Sequence, residues 1–118
     1  LHLTSLGKLF LAADSANEIR AYAKRTGLPG KTERSLTRLD ALENDLEKVR
    51  KTGIAYDMEE AEIGLRCVAT PIFDDEGHIA AGLSISAPTD RHKADWELQL
   101  KQTAGEISRA LGYRPSPR

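Results

Sequence analysis

The sequence predicts an α/β domain of the α+β kind, an antiparallel sheet with helices packed on one face of it. Three observations carry the prediction. Two β-rich runs within Leu65–Thr89, LRCVATPIFDDEGHIAAGLSISAPT, flank the turn signal Asp74-Asp75-Glu76-Gly77. Apolar residues recur at helical spacing both before and after that hairpin. The elements follow in the order helix, helix, helix, two or three strands, helix, which leaves no room for parallel crossover units.

Thr4 to Ala13 reads as a short helix with Leu6, Leu9, Phe10 and Ala13 on one stripe. Ala16 to Thr26 reads as a second. Ser15 and Glu18 form a capping box at its start, Gly27 is a C-terminal glycine, and Pro29 forbids continuation. Thr37 and Asp40 carry another capping signature before a third helix, Leu39 to Lys51. Its Leu39, Leu42, Leu46 and Val49 face inward, while Glu43, Asp45, Glu47, Lys48 and Arg50 make a solvated face. Gly53 ends it. Ile54 to Asp57 is a short strand, and 58–64 an acidic turn. A last helix from about Arg91 to Leu111 places Trp96, Leu100, Ala104, Ile107 and Leu111 on one stripe. Gly112 and Pro115 stop it, and the Pro-Ser-Pro-Arg tail is expected to fray.

Composition narrows the function. A chain of 118 residues fits one domain. With 17 basic and 18 acidic residues its net charge is −1, which argues against a nucleic-acid surface within it. No apolar run approaches a membrane span and no signal-peptide pattern is present. A single cysteine forms no internal disulfide, so a reducing cytoplasm fits. His2, His78 and His92 lack metal-ligand spacing, and no glycine loop cradles a phosphate. No histidine has a natural place beside Cys67 or a serine, so nucleophilic catalysis lacks its base and no enzyme is expected. The chain opens on Leu1 in a helical pattern, and three strands are few for four helices. Both facts suggest a piece of a longer protein with further strands upstream.

The hairpin holds the chemistry. Side chains alternate along a strand, so Ile79, Ala81, Leu83 and Ile85 point one way and Ala80, Gly82, Ser84 and Ser86 the other. Pairing Phe73 with His78 would set Cys67 opposite Ser84 and Leu65 opposite Ser86. A thiol and two hydroxyls would then share one lightly filled face. A one-residue slip would separate them. Plainer readings stand beside this one. Cys67 serves equally as a small hydrophobe, the serines as solvent-facing residues, Asp57 as a cap for the following turn, and Thr4-Ser5 as a helix cap. Arg66 falls on the face opposite Cys67.

The segment GIAYDMEEAEIGLRCVATPIFDDEGHIAAGLSISAPTDR and the opening HLTSLGKLFLAA resemble the effector-binding domain of IclR-type bacterial transcriptional regulators. The likeness runs from His2 to Gly112. It implies a GAF-like domain lacking its N-terminal strands here, in cytoplasmic dimers or tetramers. It implies DNA binding through an N-terminal winged helix-turn-helix that this chain does not contain, and no cofactor. It also implies an effector lying on the sheet face under the start of the first helix. Position by position, the effector-binding residues would be Ser5 and Leu6, through their backbone N–H groups, with Asp57, Cys67, Ser84 and Ser86. Leu9 and Phe10 are bulkier than the family's usual residues after Gly-Lys, and Ser5 replaces a common Ala or Gly. A helix N-terminus and two hydroxyls suit a small organic acid, a keto, hydroxy or aromatic one. The alternatives are a stand-alone GAF-like sensor with a protein partner, and a dimerisation module with a vestigial pocket.

Overall fold

The computed structural model describes residues 1–91, 93 and 95–114. His92 and the 115–118 tail, including the expected stop at Pro115, lie outside the described residues. Four helices and three strands follow one another as α1 (Ser5–Ala13), α2 (Ala16–Thr26), α3 (Leu39–Thr52), β1 (Ala55–Met58), β2 (Leu65–Phe73), β3 (Ile79–Pro88) and α4 (Asp95–Ala110). The sheet is antiparallel, in the order β1-β2-β3. A 3₁₀ turn at Thr89–Arg91 precedes α4, so the last helix starts later than the Arg91 expected from its periodicity.

Local chemistry sets the helix ends. The Ser15 hydroxyl accepts from Glu18 N–H at 3.2 Å and the Glu18 carboxylate accepts from Ser15 N–H at 3.0 Å, the reciprocal box read from sequence. Gly27 and Gly53 close α2 and α3 in the left-handed conformation, at φ 72° and 74°. The expected Thr37 cap does not form. Arg38 is the N-cap of α3 and makes no side-chain cap bond, while Asp40 accepts from Ala41 N–H and pairs with Arg38.

Helices cover both faces of the sheet, not the one face expected. Leu9, Leu11 and Ala12 of α1 pack with Leu42, Leu46 and Val49 of α3, with Ile19 and Tyr22 of α2, and with Ala55 and Ala69 of the sheet. On the opposite face, Leu100 of α4 packs with Ile54, Val68, Tyr56, Leu83 and Ile85. The reason is in β2. Val68 and Ala69, on opposite faces, are both fully buried, so each face needs a cover. On α4 the inner stripe is Leu100, Ala104 and Ser108, whereas Ile107 and Leu111 stand partly exposed. Ser108 earns that place by accepting from Phe73 N–H at 2.9 Å while donating to Ala104 C=O. β1 ends its pairing at Ala55–Ala69, so β2 has a free edge from Thr70 onward. Pro71, which has no N–H to leave unpaired, lies on that edge.

The hairpin register differs from the expected one by two steps. Asp74 and His78 close a three-residue loop, with Asp74 N–H donating to His78 C=O at 2.9 Å. The Asp74 carboxylate accepts from Glu76 and His78 N–H, and Gly77 takes φ 80°. Phe73 therefore pairs with Ile79, not His78. A bulge then leaves Ala80 unpaired, and Ile72 faces Ala81. Cys67 consequently lies opposite Ser86 rather than Ser84, Ser84 opposite Ala69, and Leu65 opposite Pro88. Two single steps restore parity, so Cys67, Ser84 and Ser86 still share a face.

His2 anchors the turn before α1. Its Nε2 meets Pro29 C=O at 2.9 Å, where only donation is possible, so Nδ1 accepts from the Tyr22 hydroxyl, also at 2.9 Å. Burial holds its pKa below the usual 6.5, against an opposing contribution from the Pro29 bond. A lowered pKa means that the unfolded chain takes up the proton first. Stability is therefore full above about pH 6.5 and declines as pH falls from there toward the depressed folded value. Urea unfolding between pH 7 and 5 should show this decline, and His2→Gln should flatten it.

Candidate functional site

The register builds a transverse row across all three strands. Asp57 of β1 lies opposite Cys67 of β2, which lies opposite Ser86 of β3. Cys67 Sγ and Ser86 Oγ are 3.0 Å apart. The next row is Ala55, Ala69 and Ser84, and beyond it Gly82. This is the face that α1 covers.

Small residues in those rows answer to α1. A methyl on Gly82 would stand 2.5 Å from Leu6 Cδ2 and 3.1 Å from Leu9 Cδ1. Ala55 and Ala69 touch the same helix cluster. Space that looked free from alternation alone is thus occupied by two leucines, and Gly82 is small so that α1 can approach. Ser84 and Ser86 stay exposed and Cys67 half-buried, so the open part of the face lies at the serine end.

The start of α1 has the predicted free donors. Thr4 is the N-cap: its hydroxyl accepts from Gly7 N–H at 3.0 Å, and its carbonyl accepts from Lys8 N–H. Among the described residues nothing accepts from the N–H of Ser5 or Leu6. Ser5 is buried and Leu6 is partly exposed against Gly82.

Asp57 has a second employment. It is buried, and its Oδ1 accepts from Glu60 N–H at 2.8 Å and Ala61 N–H at 3.3 Å, the turn-capping role weighed above. The 59–61 turn is tied down from several sides. Glu59 takes φ 64°, uncommon for a side-chain-bearing residue, and its carbonyl accepts from Thr32 Oγ1 at 2.7 Å. The Glu60 carbonyl accepts from Ser35 Oγ at 2.5 Å.

Sequence reasoning missed the central group of this region. Lys8 is fully buried, and its Nζ donates to Tyr56 C=O at 2.7 Å and to Glu60 Oε1 at 2.7 Å, and pairs with Asp45 Oδ2 at 2.6 Å. Two of the three ammonium donors go to Tyr56 and Glu60, while Asp45 Oδ2, which accepts no hydrogen bond among the described residues, meets the charge as an ion pair. Glu60 Oε2 accepts in turn from Met58 N–H at 3.0 Å. One cation therefore links α1, α3, β1 and the turn after Asp57. Its signal was the Gly-Lys pair in an otherwise apolar helix, where a lysine belongs only if its charge is met. Across the sheet, the Tyr56 hydroxyl donates to Glu97 at 2.5 Å; burial first, then that carboxylate, pushes its pKa up to about 12. Among the described residues no cluster of His, Cys, Asp and Glu is fit to hold a metal ion, and no helix is long and apolar enough to cross a membrane.

The chain resembles known proteins over nearly its whole length. Residues 1–112 match the family model described as bacterial transcriptional regulator IclR C-terminal. The regulator KdgR of Escherichia coli K12 is 38% identical over 99% of this chain and 46% of its own length. The repressor AllR of the same strain is 37% identical over 99% and 45%. The chain thus spans about half the length of these curated relatives. Among solved structures, the C-terminal domain of E. coli KdgR superposes at TM-score 0.83 with 38% identity, covering 95% of this chain and 71% of that one. The Thermotoga maritima IclR does so at 0.84 with 41% identity, over 95% and 47%. The PobR inducer-binding domain from Acinetobacter, solved as a double mutant with 3-hydroxybenzoic acid, reaches 0.83 at 25% identity, over 91% and 64%. These relatives are transcriptional regulators. From the family match and the shared fold, the chain belongs to the IclR family of bacterial transcriptional regulators, within their C-terminal domain.

Proposed function

We propose that this chain is the ligand-sensing part of a cytoplasmic IclR-type regulator, and that its effector is a small organic acid. The supporting observation is that Leu6 of α1 packs against Gly82, on the sheet face that also carries Cys67, Ser84 and Ser86, and that the Ser5 and Leu6 N–H groups have no acceptor among the described residues. Helix-start N–H groups and the helix dipole favour a carboxylate, and serine hydroxyls donate to it or to a neighbouring oxo or hydroxy group. Asp57 ends the row; with Oδ1 engaged by the turn, its part is to shape the wall and to accept from a ligand hydroxyl at its other oxygen. The acid bound by the PobR domain, aromatic and hydroxylated, supports this class. DNA binding would belong to a winged helix-turn-helix outside this chain, in a dimer or tetramer. Effector would change DNA affinity by binding one arrangement of the linked domains more tightly than the other.

Calorimetry of the intact regulator with hydroxy, keto and aromatic acids and their amides provides the test. The acids should bind and the amides should not. Ser84→Ala and Ser86→Ala should each weaken binding by roughly ten- to a hundredfold, the worth of a hydrogen bond to a charged group, about 1.5–3 kcal/mol. Equal binding of acid and amide would count against the reading. A protein partner that binds the intact protein without any DNA-binding module would favour the stand-alone sensor instead.

A further inference from the structure

A cavity of about 260 Å³ lies at the other end of β2 from Cys67, on the side of α4. Phe73 and Cys67 are six residues apart, so the two places are separated by about 20 Å along the strand. Pro71, Phe73, Ala104 and Gly105 form its apolar part, and Lys101 and Arg109 its charged rim. The Phe73 and Tyr113 rings, stacked on each other at 4.8 Å and 28° from parallel, form its aromatic wall. No carboxylate lines it.

Three features of the cavity serve nothing among the described residues. First, Gly105 lies inside α4, where glycine costs about 1 kcal/mol against alanine. Close packing does not demand it: a methyl there would meet only Arg109 Nη1, at an ordinary 3.5 Å. Second, the Arg109 guanidinium has no hydrogen-bond or ion-pair partner among the described residues. Third, Lys101 Nζ spends one donor on Thr52 C=O at 2.9 Å and keeps the others. By contrast, the Thr70 and Ser108 hydroxyls in the same lining are already bonded, to Gly53 C=O and to Ala104 C=O. Among the described residues the uncommitted groups are thus two cations lining the same cavity as the aromatic pair, beside a gap kept open by a glycine.

We propose that this cavity is a second small-molecule site, distinct from the hairpin face, and that it takes a small aromatic carboxylate. The ring would lie against Phe73 and Tyr113 over Gly105, with the carboxylate between Lys101 and Arg109. A guanidinium matches a carboxylate in two parallel hydrogen bonds, and offset stacking suits a flat ring. A neutral aromatic would gain only the wall, and an aliphatic acid only the rim.

The probe is 4-fluorobenzoate, followed by ¹⁹F NMR titration of the intact protein, with 4-fluorobenzamide as the neutral control. Both are run in a Ser84→Ala/Ser86→Ala background, so that failure of the hairpin-face reading leaves this result legible. Saturable binding of the benzoate and not the benzamide is expected. Arg109→Gln should weaken it about tenfold. Gly105→Leu should abolish it. Gly105→Ala should weaken it while raising the thermal midpoint, since alanine favours the helix. That opposed pair of effects is one that a structural glycine would not produce. Benzoate affinity unchanged in Gly105→Leu, equal affinity for the benzamide, or α4 of a second copy seated over Gly105 in the intact protein would each overturn the proposal.

Discussion

Lys8→Met is expected to destabilise the domain by about 3–5 kcal/mol, the usual cost of removing one partner of a buried ion pair. The substitution keeps most of the apolar stem and deletes the charge. It leaves Glu60, almost wholly buried, facing an empty position, and strips a donor from Tyr56 C=O. Asp45 is partly exposed and recovers some hydration, so the larger share of the loss belongs to Glu60. Urea unfolding measures the total. Adding Glu60→Gln should return part of it, because a neutral amide no longer needs the cation; the same Glu60→Gln alone should destabilise. Lys8→Arg should not rescue, since the planar fork is too large for a site where three oxygens close on one nitrogen. A Lys8→Met variant within about 1 kcal/mol of the parent would mean that the cluster is hydrated in solution. The functional consequence follows from position. Glu60 fixes the turn that Asp57 caps, so effector affinity at the row should fall with it.

Leu9→Ala is expected to cost about 2–5 kcal/mol, the range for truncating a buried leucine. Leu9 lies at the contact of α1 with Ala55, Ala69 and Gly82, so its loss opens a gap that the flat sheet cannot close. Gly82→Ala, the reverse error, should cost about 1–3 kcal/mol by forcing Leu6 and Leu9 away. The two together should cost less than their sum by roughly 0.5–3 kcal/mol, because the added methyl enters the space the leucine vacates. Additive losses would show that α1 does not rest on Gly82. Thermal unfolding of the four proteins reads the cycle. Effector binding should fall in Gly82→Ala even where the protein is folded, because the first turn of α1, with its two free N–H groups, moves off the sheet.

Much of the fold was legible because it is decided within a few residues. The Ser15–Glu18 box, the glycines at 27 and 53, and the helical spacing of Leu42, Leu46 and Val49 each act locally, and the structure has each in place. The Thr37 signature has the same local form and failed, since Arg38 leads the chain into α3 instead. Periodicity placed Leu100 and Ala104 of α4 inward but misplaced the end of the stripe, where Ile107 and Leu111 stand exposed. Ser108, polar and unremarked in the sequence, turns inward because the free N–H of Phe73 requires an acceptor there.

The candidate site divides in the same way. Alternation by itself determined that Ser84 and Ser86 share a face; that Cys67 on the neighbouring strand joins them depended on the parity of the register. Family resemblance supplied the N-terminal turn of α1 and Asp57. Which residues oppose one another waited on the Asp74 loop and the Ala80 bulge, two single-residue steps whose sum happens to preserve parity. Which small residues leave room and which are filled waited on α1, because a glycine reads identically whether a ligand or a leucine lies over it. Lys8 belongs wholly to the tertiary structure. Its three oxygens come from β1, from α3 and from the turn at Glu60, and no spacing in the chain records their convergence. Local sequence rules extend over one turn of helix or one hairpin; charge compensation joins Lys8 to Glu60 and face filling joins Leu6 to Gly82, residues far apart in the chain.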